Sequence, residues 1–181
     1  MVTPTSTTET TGPLAGMLVF TDNNEIIRTG LAAAVIVVIG KAVTFDAAGR
    51  AIPAIATSNN ADGIGIATIN PNSPIGSQTG TIDNTSGAAD ALFVQVAVGN
   101  TYCFSKANGA IKPLSLIKVD ATSQWIAHTK PANATTPTAA EVDAARDFFG
   151  LASGRYFGHP KEEKSMTAAV ATDIIAVRLG L

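Results

Sequence analysis

Residues 171–181 read ATDIIAVRLGL, and residues 88–99, some eighty positions earlier, read AADALFVQVAVG. Both are an Asp followed by a run of alternating apolar residues, the signature of a half-buried β-strand. In the earlier run Leu92, Val94, Val96 and Val98 point one way, while Phe93, Gln95 and Ala97 point the other. In the later run Ile175, Val177 and Leu179 form the inward set.

Working outward, two more segments recur in the same order. Ala42-Val43-Thr44-Phe45-Asp46-Ala47 is matched by Leu116-Ile117-Lys118-Val119-Asp120-Ala121, an offset of 74 (42 to 116). Asp46 and Asp120 each open a turn, and Arg50-Ala51-Ile52-Pro53 and Gln124-Trp125-Ile126-Ala127 follow as returning strands. Ile64-Gly65-Ile66-Ala67-Thr68 is echoed by Phe149-Gly150-Leu151-Ala152-Ser153, an offset of 85 (64 to 149). The terminal pair, Asp90 with Asp173, has an offset of 83. A conserved order with loop-sized differences in spacing predicts an internal structural repeat.

The expected fold is mainly β: two similar small β-barrel or β-sandwich modules with one short helix and a flexible N-terminal arm. The arm covers residues 1–16, the first module 17–108 and the second 109–181. The helix is expected near 138–148, where Thr138-Ala139-Ala140-Glu141 has a capping-box pattern and Val142, Ala145, Arg146 and Phe149 keep helical spacing. Residues 1–13 are Thr-rich with almost no apolar residue, too little to offset the entropy of ordering. Met17–Phe20 and Glu25–Arg28, separated by Asp22-Asn23-Asn24, read as a hairpin. Leu31–Ile39, LAAAVIVVI, reads as a buried strand, too short for a bilayer span. Asn70–Ala89 is a polar loop region with one weak strand around Gly80-Thr81-Ile82, and Asn108-Gly109 is a strong hairpin signal.

The 181 residues suffice for one domain or two small packed ones, and they are 46% hydrophobic and only 14% charged. That balance fits either an Ala-rich monomer or a surface covered by a partner. Net charge is −2 and no basic stripe interleaves with aromatics, so nucleic-acid binding is not expected. The start of the chain has neither a basic nor an apolar signal region, and no membrane association is expected. Production and folding in a cytoplasm are the expectation.

No catalytic constellation stands out, and an enzyme is not expected. Cys103 alone makes neither an intrachain disulfide nor a Cys-rich zinc site, and it lies in an alternating run as a small buried hydrophobe. His128 and His159 have no partner at metal-ligand spacing and read as exposed or turn residues. Gly63-Ile64-Gly65-Ile66 lacks the third glycine and helix of a dinucleotide site and reads as a strand packed closely on another backbone. Asn84-Thr85-Ser86 and Asn133-Ala134-Thr135 are formal glycosylation sequons read as coincidental. No catalytic residue, cofactor site or metal site is expected.

The order of apolar strand, Asp-Ala turn, strand, Gly-Ile-Gly-Ile-Ala and Val-x-Val-x-Val-Gly resembles the head decoration, or cement, proteins of tailed viruses. Lys41–Ala54, Ala61–Thr68, Asp90–Gly99 and Thr172–Leu181 carry the resemblance. It implies a structural virion protein that binds the outside of an assembled capsid and stabilises it, commonly as a homotrimer at local threefold positions. Its partner would be the major capsid protein and its location the capsid exterior. An N-terminal arm would reach onto the shell through Thr3, Pro4, Thr5, Thr7, Thr8, Thr10, Thr11, Pro13 and Leu14. The alternative is a carbohydrate- or host-surface-binding β-module, for which Trp125 is the aromatic to watch, although a strand Trp after a turn is more often core than platform.

Overall fold

The computed structural model describes residues 13–19, 25–69, 80–128, 138–139, 142, 153–156 and 169–179. Among them, strands dominate and pair antiparallel throughout. The first five-stranded sheet contains β1 (Glu25–Gly30), β3 (Ala42–Phe45), β4 (Ala51–Pro53), β5 (Gly65–Ala67) and β7 (Phe93–Val98), in the order β1-β7-β5-β3-β4. The second contains β8 (Tyr102–Lys106), β9 (Leu116–Val119), β10 (Trp125–Ala127), β11 (Ser153–Tyr156) and β12 (Ile174–Leu179), in the order β10-β9-β11-β12-β8. Read from its other end, the second order is β8-β12-β11-β9-β10, the first topology over again. A two-stranded pair, β2 (Ile36–Val38) with β6 (Thr81–Asp83), completes the first unit, and the bridge of Ile111 to Ala169 takes its place in the second.

The repeat extends to register. Val43 pairs with Pro53 and Phe45 with Ala51; 74 residues on, Ile117 pairs with Ala127 and Val119 with Trp125. Gly65 pairs with Val43 as Gly154 pairs with Ile117, so Gly154 is the counterpart of Gly65, an offset of 89 rather than 85. The segment Phe149–Ala152 lies outside the described residues. β7 and β12 correspond end to end at an offset of 81 rather than 83, which makes Val94 and Val96 the equivalents of Ile175 and Val177. A two-residue slip preserves the in–out alternation, which is why the sequence pattern could not distinguish the two.

The expected module boundary near 108 moves. β8 hydrogen-bonds to β12, so the division between the sheets falls in the turn between Val98 and Tyr102. Of the hairpin expected at Met17–Arg28, the turn lies outside the described residues, and no pairing of Met17–Val19 with Glu25–Arg28 is found among the described residues. Leu18 bridges to Cys103 on β8, with Gly16 N donating to Phe104 O, whereas β1 pairs with β7. Residues 16–19 and 25–30 thus run antiparallel to β8 and β7, and the strand edges of both sheets select their pairing. Residues 16–19 therefore belong with the second sheet, not at the start of the first module.

Two other local expectations yield to tertiary structure. Leu31–Ile39 is broken by a turn with Ala34 at φ 57, and only Ile36–Val38 is a strand, although Leu31 and Val37 are both buried. Asn108-Gly109 connects β8 to residues that pair elsewhere: Asn108 N donates to Trp125 O, and β8 and β9 are not neighbours. The weak strand expected at 80–82 is β6. The start of the expected helix is described, with Val142 N donating to Thr138 O at 3.1 Å; its remainder lies outside the described residues.

One face of the first sheet, with Val43, Ala67, Val94 and Val96, packs with Leu31, Val37 and Ala51. On the opposite face Ala42, Ile66 and Ala97 join a larger cluster with the interior of the second sheet, including Trp125, Tyr156, Ile175, Val177 and Leu179. The inward set expected at the chain's end is fully buried. Burying each such aliphatic side chain contributes about 1.5–3 kcal/mol.

Candidate functional site

The most constrained region is the seam between the two sheets, and it is built around a turn. In Asp120-Ala121-Thr122-Ser123-Gln124 the Asp120 carboxylate accepts from Thr122 N at 2.7 Å, Gln124 N at 2.9 Å and the side chain of Asn108. Burial raises the pKa of Asp120, but the hydrogen bonds from Asn108, Gln124 and Thr122 outweigh it and hold the carboxyl below its ordinary range. The stiffened turn then offers its carbonyls to the first sheet. Ser123 O accepts from Ala42 N at 2.9 Å, and Thr122 O accepts from Lys41 Nζ at 2.9 Å. Ser105 Oγ donates to Gly40 O and accepts from Trp125 Nε1 at 3.0 Å. Asn60, in a short 3-10 turn over Asn60–Asp62, adds a reciprocal pair with Ser153, its Nδ2 donating to Ser153 Oγ and its Oδ1 accepting from Ser153 N. A cavity of about 180 Å³ opens at this seam beside Ile36, Ile55, Val43 and Thr122.

The side chains singled out for chemistry are occupied structurally. Trp125 is 0% exposed, so it is core and offers no platform for a sugar. Cys103 is buried against Met17 O, and burial pushes its thiol up to about 12, far from a reactive thiolate. His128 follows β10, half-buried; burial and then the nearby Lys118 lower its pKa. His159 lies outside the described residues. A Cβ on Gly65 would meet Val96 Cγ1 at 2.2 Å and Ala97 O at 2.7 Å, the close packing that the Gly-Ile-Gly-Ile run predicts. Asn84 is buried and donates to Ala32 O and Ala88 O, so its sequon is committed to the fold, whereas Asn133 lies outside the described residues. Among the described residues no group of three His, Cys, Asp or Glu could hold a metal ion, and no helix is long and apolar enough to cross a membrane.

Of the residues assigned to a contact arm, Thr3, Pro4, Thr5, Thr7, Thr8, Thr10 and Thr11 lie outside the described residues. Pro13 is half-buried and Leu14 is 36% exposed, just before the chain joins β8. The sequence reading did not find a second apolar surface, on the first sheet. Ile26 and Ile27 on the end strand β1 are 42% and 40% exposed, and Phe93 on β7 is 50% exposed, with Arg28 stacked 4.9 Å from its ring centre. Ile26, opposite Ala97, shares its face with Phe93, while Ile27, opposite Val96, lies on the other face of the same end strand, so neither looks unusual in the sequence. Such a surface suits contact with another macromolecule.

No family model and no curated protein matches the chain. Its fold is similar to that of a chain in the capsid of Myoviridae phage XM1. The superposition covers 95% of this chain and 92% of that one, with a TM-score of 0.54 and 14% sequence identity.

Proposed function

We propose that this protein is a structural component of a virion, bound to the outer surface of an assembled capsid and stabilising it, as a homotrimer at local threefold positions. The observation that carries the reading is the likeness of its fold, end to end, to a chain of a phage capsid. The side chains fit a role in contact rather than catalysis: Trp125, Cys103 and Asp120 serve the core and the seam, while Ile26, Ile27, Phe93 and Leu14 are presented outward. A protein that binds only the assembled shell stabilises it by mass action, and many linked contacts add avidity. The partner in this reading is the major capsid protein, contacted by residues 1–16 and the exposed apolar edge.

The test mixes purified full-length protein with capsids that lack it, then measures co-sedimentation and the shell's melting temperature. Binding with a raised melting temperature is expected. Intact capsids that neither bind the protein nor gain stability overturn the reading. Deletion of residues 1–13 should weaken attachment while leaving the unfolding transition unchanged, and the solution mass should be that of three chains.

A further inference from the structure

The strands of the second sheet read YCFSK, LIKV, WIA, SGRY and IIAVRL: four cations and no acid. The first sheet's strands carry one of each, Glu25 and Arg28. All four cations point away from the core, because Cys103, Ser105, Ile117, Val119, Gly154, Ile175 and Val177 take the inward positions beside them.

Their placement is unfavourable for an isolated protein. Arg155 lies directly across from Arg178 in the antiparallel pair of β11 and β12. Like charges at directly opposed positions destabilise a sheet. Lys118 sits one strand over, opposite Ser153, and its charge reaches His128 at the sheet's other side. The only salt bridge found among the described residues is far away, between Arg50 and Asp46. Arg178 is turned to Asn100 Oδ1 at 3.0 Å and to the ring of Tyr102, and its Nε is buried without a hydrogen-bond partner. Interleaved with these cations are half-buried Phe104, Leu116, Ile126 and Ala176.

We infer that this outer face of the second sheet, centred on Lys118, Arg155 and Arg178, is a docking surface for a carboxylate-bearing protein surface. Charge complementarity selects the occupant. The exposed Arg155 guanidinium binds a carboxylate in paired, planar geometry, and the neighbouring Lys118 and Arg178 charges add to its attraction. The apolar residues between them, with Arg and aromatic side chains, match the make-up of a protein interface. The cations form a compact patch on a flat sheet, not the continuous stripe that tracks a phosphate backbone. The inference deepens the capsid reading by naming the face and the chemistry of the partner, and its test uses no capsid, so the two stand or fall separately.

The experiment measures binding of the full-length protein to immobilised poly-L-glutamate, with a single-stranded oligonucleotide of equal charge as competitor. Wild type should bind and release as salt rises. The double variant Lys118→Ser/Arg155→Ser should bind at least ~10-fold more weakly, a loss of ~1.4 kcal/mol, whereas Lys112→Ser, at an exposed residue outside the strands of this sheet, should bind as wild type. Equal binding by the double variant overturns the inference, and so does preference for the oligonucleotide, which would make the partner a nucleic acid. A second readout needs no ligand: Arg155→Thr relieves the opposed charges and should raise the melting temperature of the free protein by about 1–2 °C. A lowered melting temperature would make Arg155 a structural residue and overturn the proposal.

Discussion

Val43 and Ile117, Gly65 and Gly154, Val96 and Val177 hold equivalent places in the two sheets, yet their next neighbours have different lives. In the first sheet those neighbours are Ala42, Ile66 and Ala97, all buried in the cluster shared with the second unit. In the second they are Leu116, Arg155 and Arg178, which are half-buried or exposed. The inward pattern is the same because each sheet needs one apolar face to fold. The outward pattern diverged because one copy lies against its neighbour and the other faces outward. The two Asp turns differ in the same way: Asp46 is paired with Arg50 at 2.7 Å within its own turn, whereas the turn of Asp120 reaches across the seam.

The comparison breaks hardest at Trp125, whose counterpart in the first sheet is Ala51. Trp125→Ala makes the two alike, removes the second core's largest side chain and leaves Ser105 Oγ without its Nε1 donor. A loss of ~3–5 kcal/mol is expected by denaturant titration of the full chain. The glycines come next. A methyl on Gly65 meets Val96 and the Ala97 carbonyl, and one on Gly154 meets the Arg178 carbonyl at 2.9 Å and Val177 at 3.1 Å. Gly65→Ala should cost ~2–3 kcal/mol and Gly154→Ala ~1–2 kcal/mol, the order following the tighter contacts. Equal costs would show that the first sheet relaxes where the distances say it cannot.

Asp120→Ala leaves the turn's amide donors without an acceptor beside the seam and should cost ~1–3 kcal/mol, while Asp46→Ala, at a less buried carboxylate, should cost clearly less in the same titration. Asp120 also gives this difference a pH signature. Its folded-state pKa lies below the ordinary 3.8, so its contribution is complete above that value and is lost as pH falls through the folded value. Asp120→Asn should therefore flatten the acid limb of the stability curve below pH 3.8. The smallest effect lies at Ser123, which takes φ 62 where the first unit has Gly49 at φ 77. Ser123→Gly should raise stability by ~0.5 kcal/mol, since a side chain in the left-handed region costs ~1–2 kcal/mol and glycine's greater chain entropy returns part of it. A fall instead would place the value of Ser123 in its side chain and not in its backbone.

Much of this fold can be read from residues alone. The Val-x-Val and Ile-x-Val-x-Leu alternation fixes which side chains enter the core, because a strand's two faces are set by its period of two. Asp46 and Asp120 announce their turns by chemistry that acts within four residues. The hairpin expected at Asn108-Gly109 failed for the complementary reason, and the segments flanking Asp22–Asn24 likewise pair with β8 and β7. A turn signal says that the chain bends, not which strand it meets afterwards. Composition gave only the expectation of a flexible arm, and its capsid contact rests on the resemblance; the exposed Ile26, Ile27 and Phe93 and the basic outer face were not expected at all, since exposure depends on what else covers a strand.

By itself the sequence determined the repeated order of strands and turns, the inward set of each strand and the close approach at Gly65, all consequences of steric rules acting over a few residues. Only the tertiary structure decided that residues 16–19 pair with β8, that Gly154 and not Gly150 repeats Gly65, and which outer face is buried and which is left charged. Those choices are made by hydrogen-bonding edges and apolar faces that meet from distant parts of the chain, where local preference has no vote.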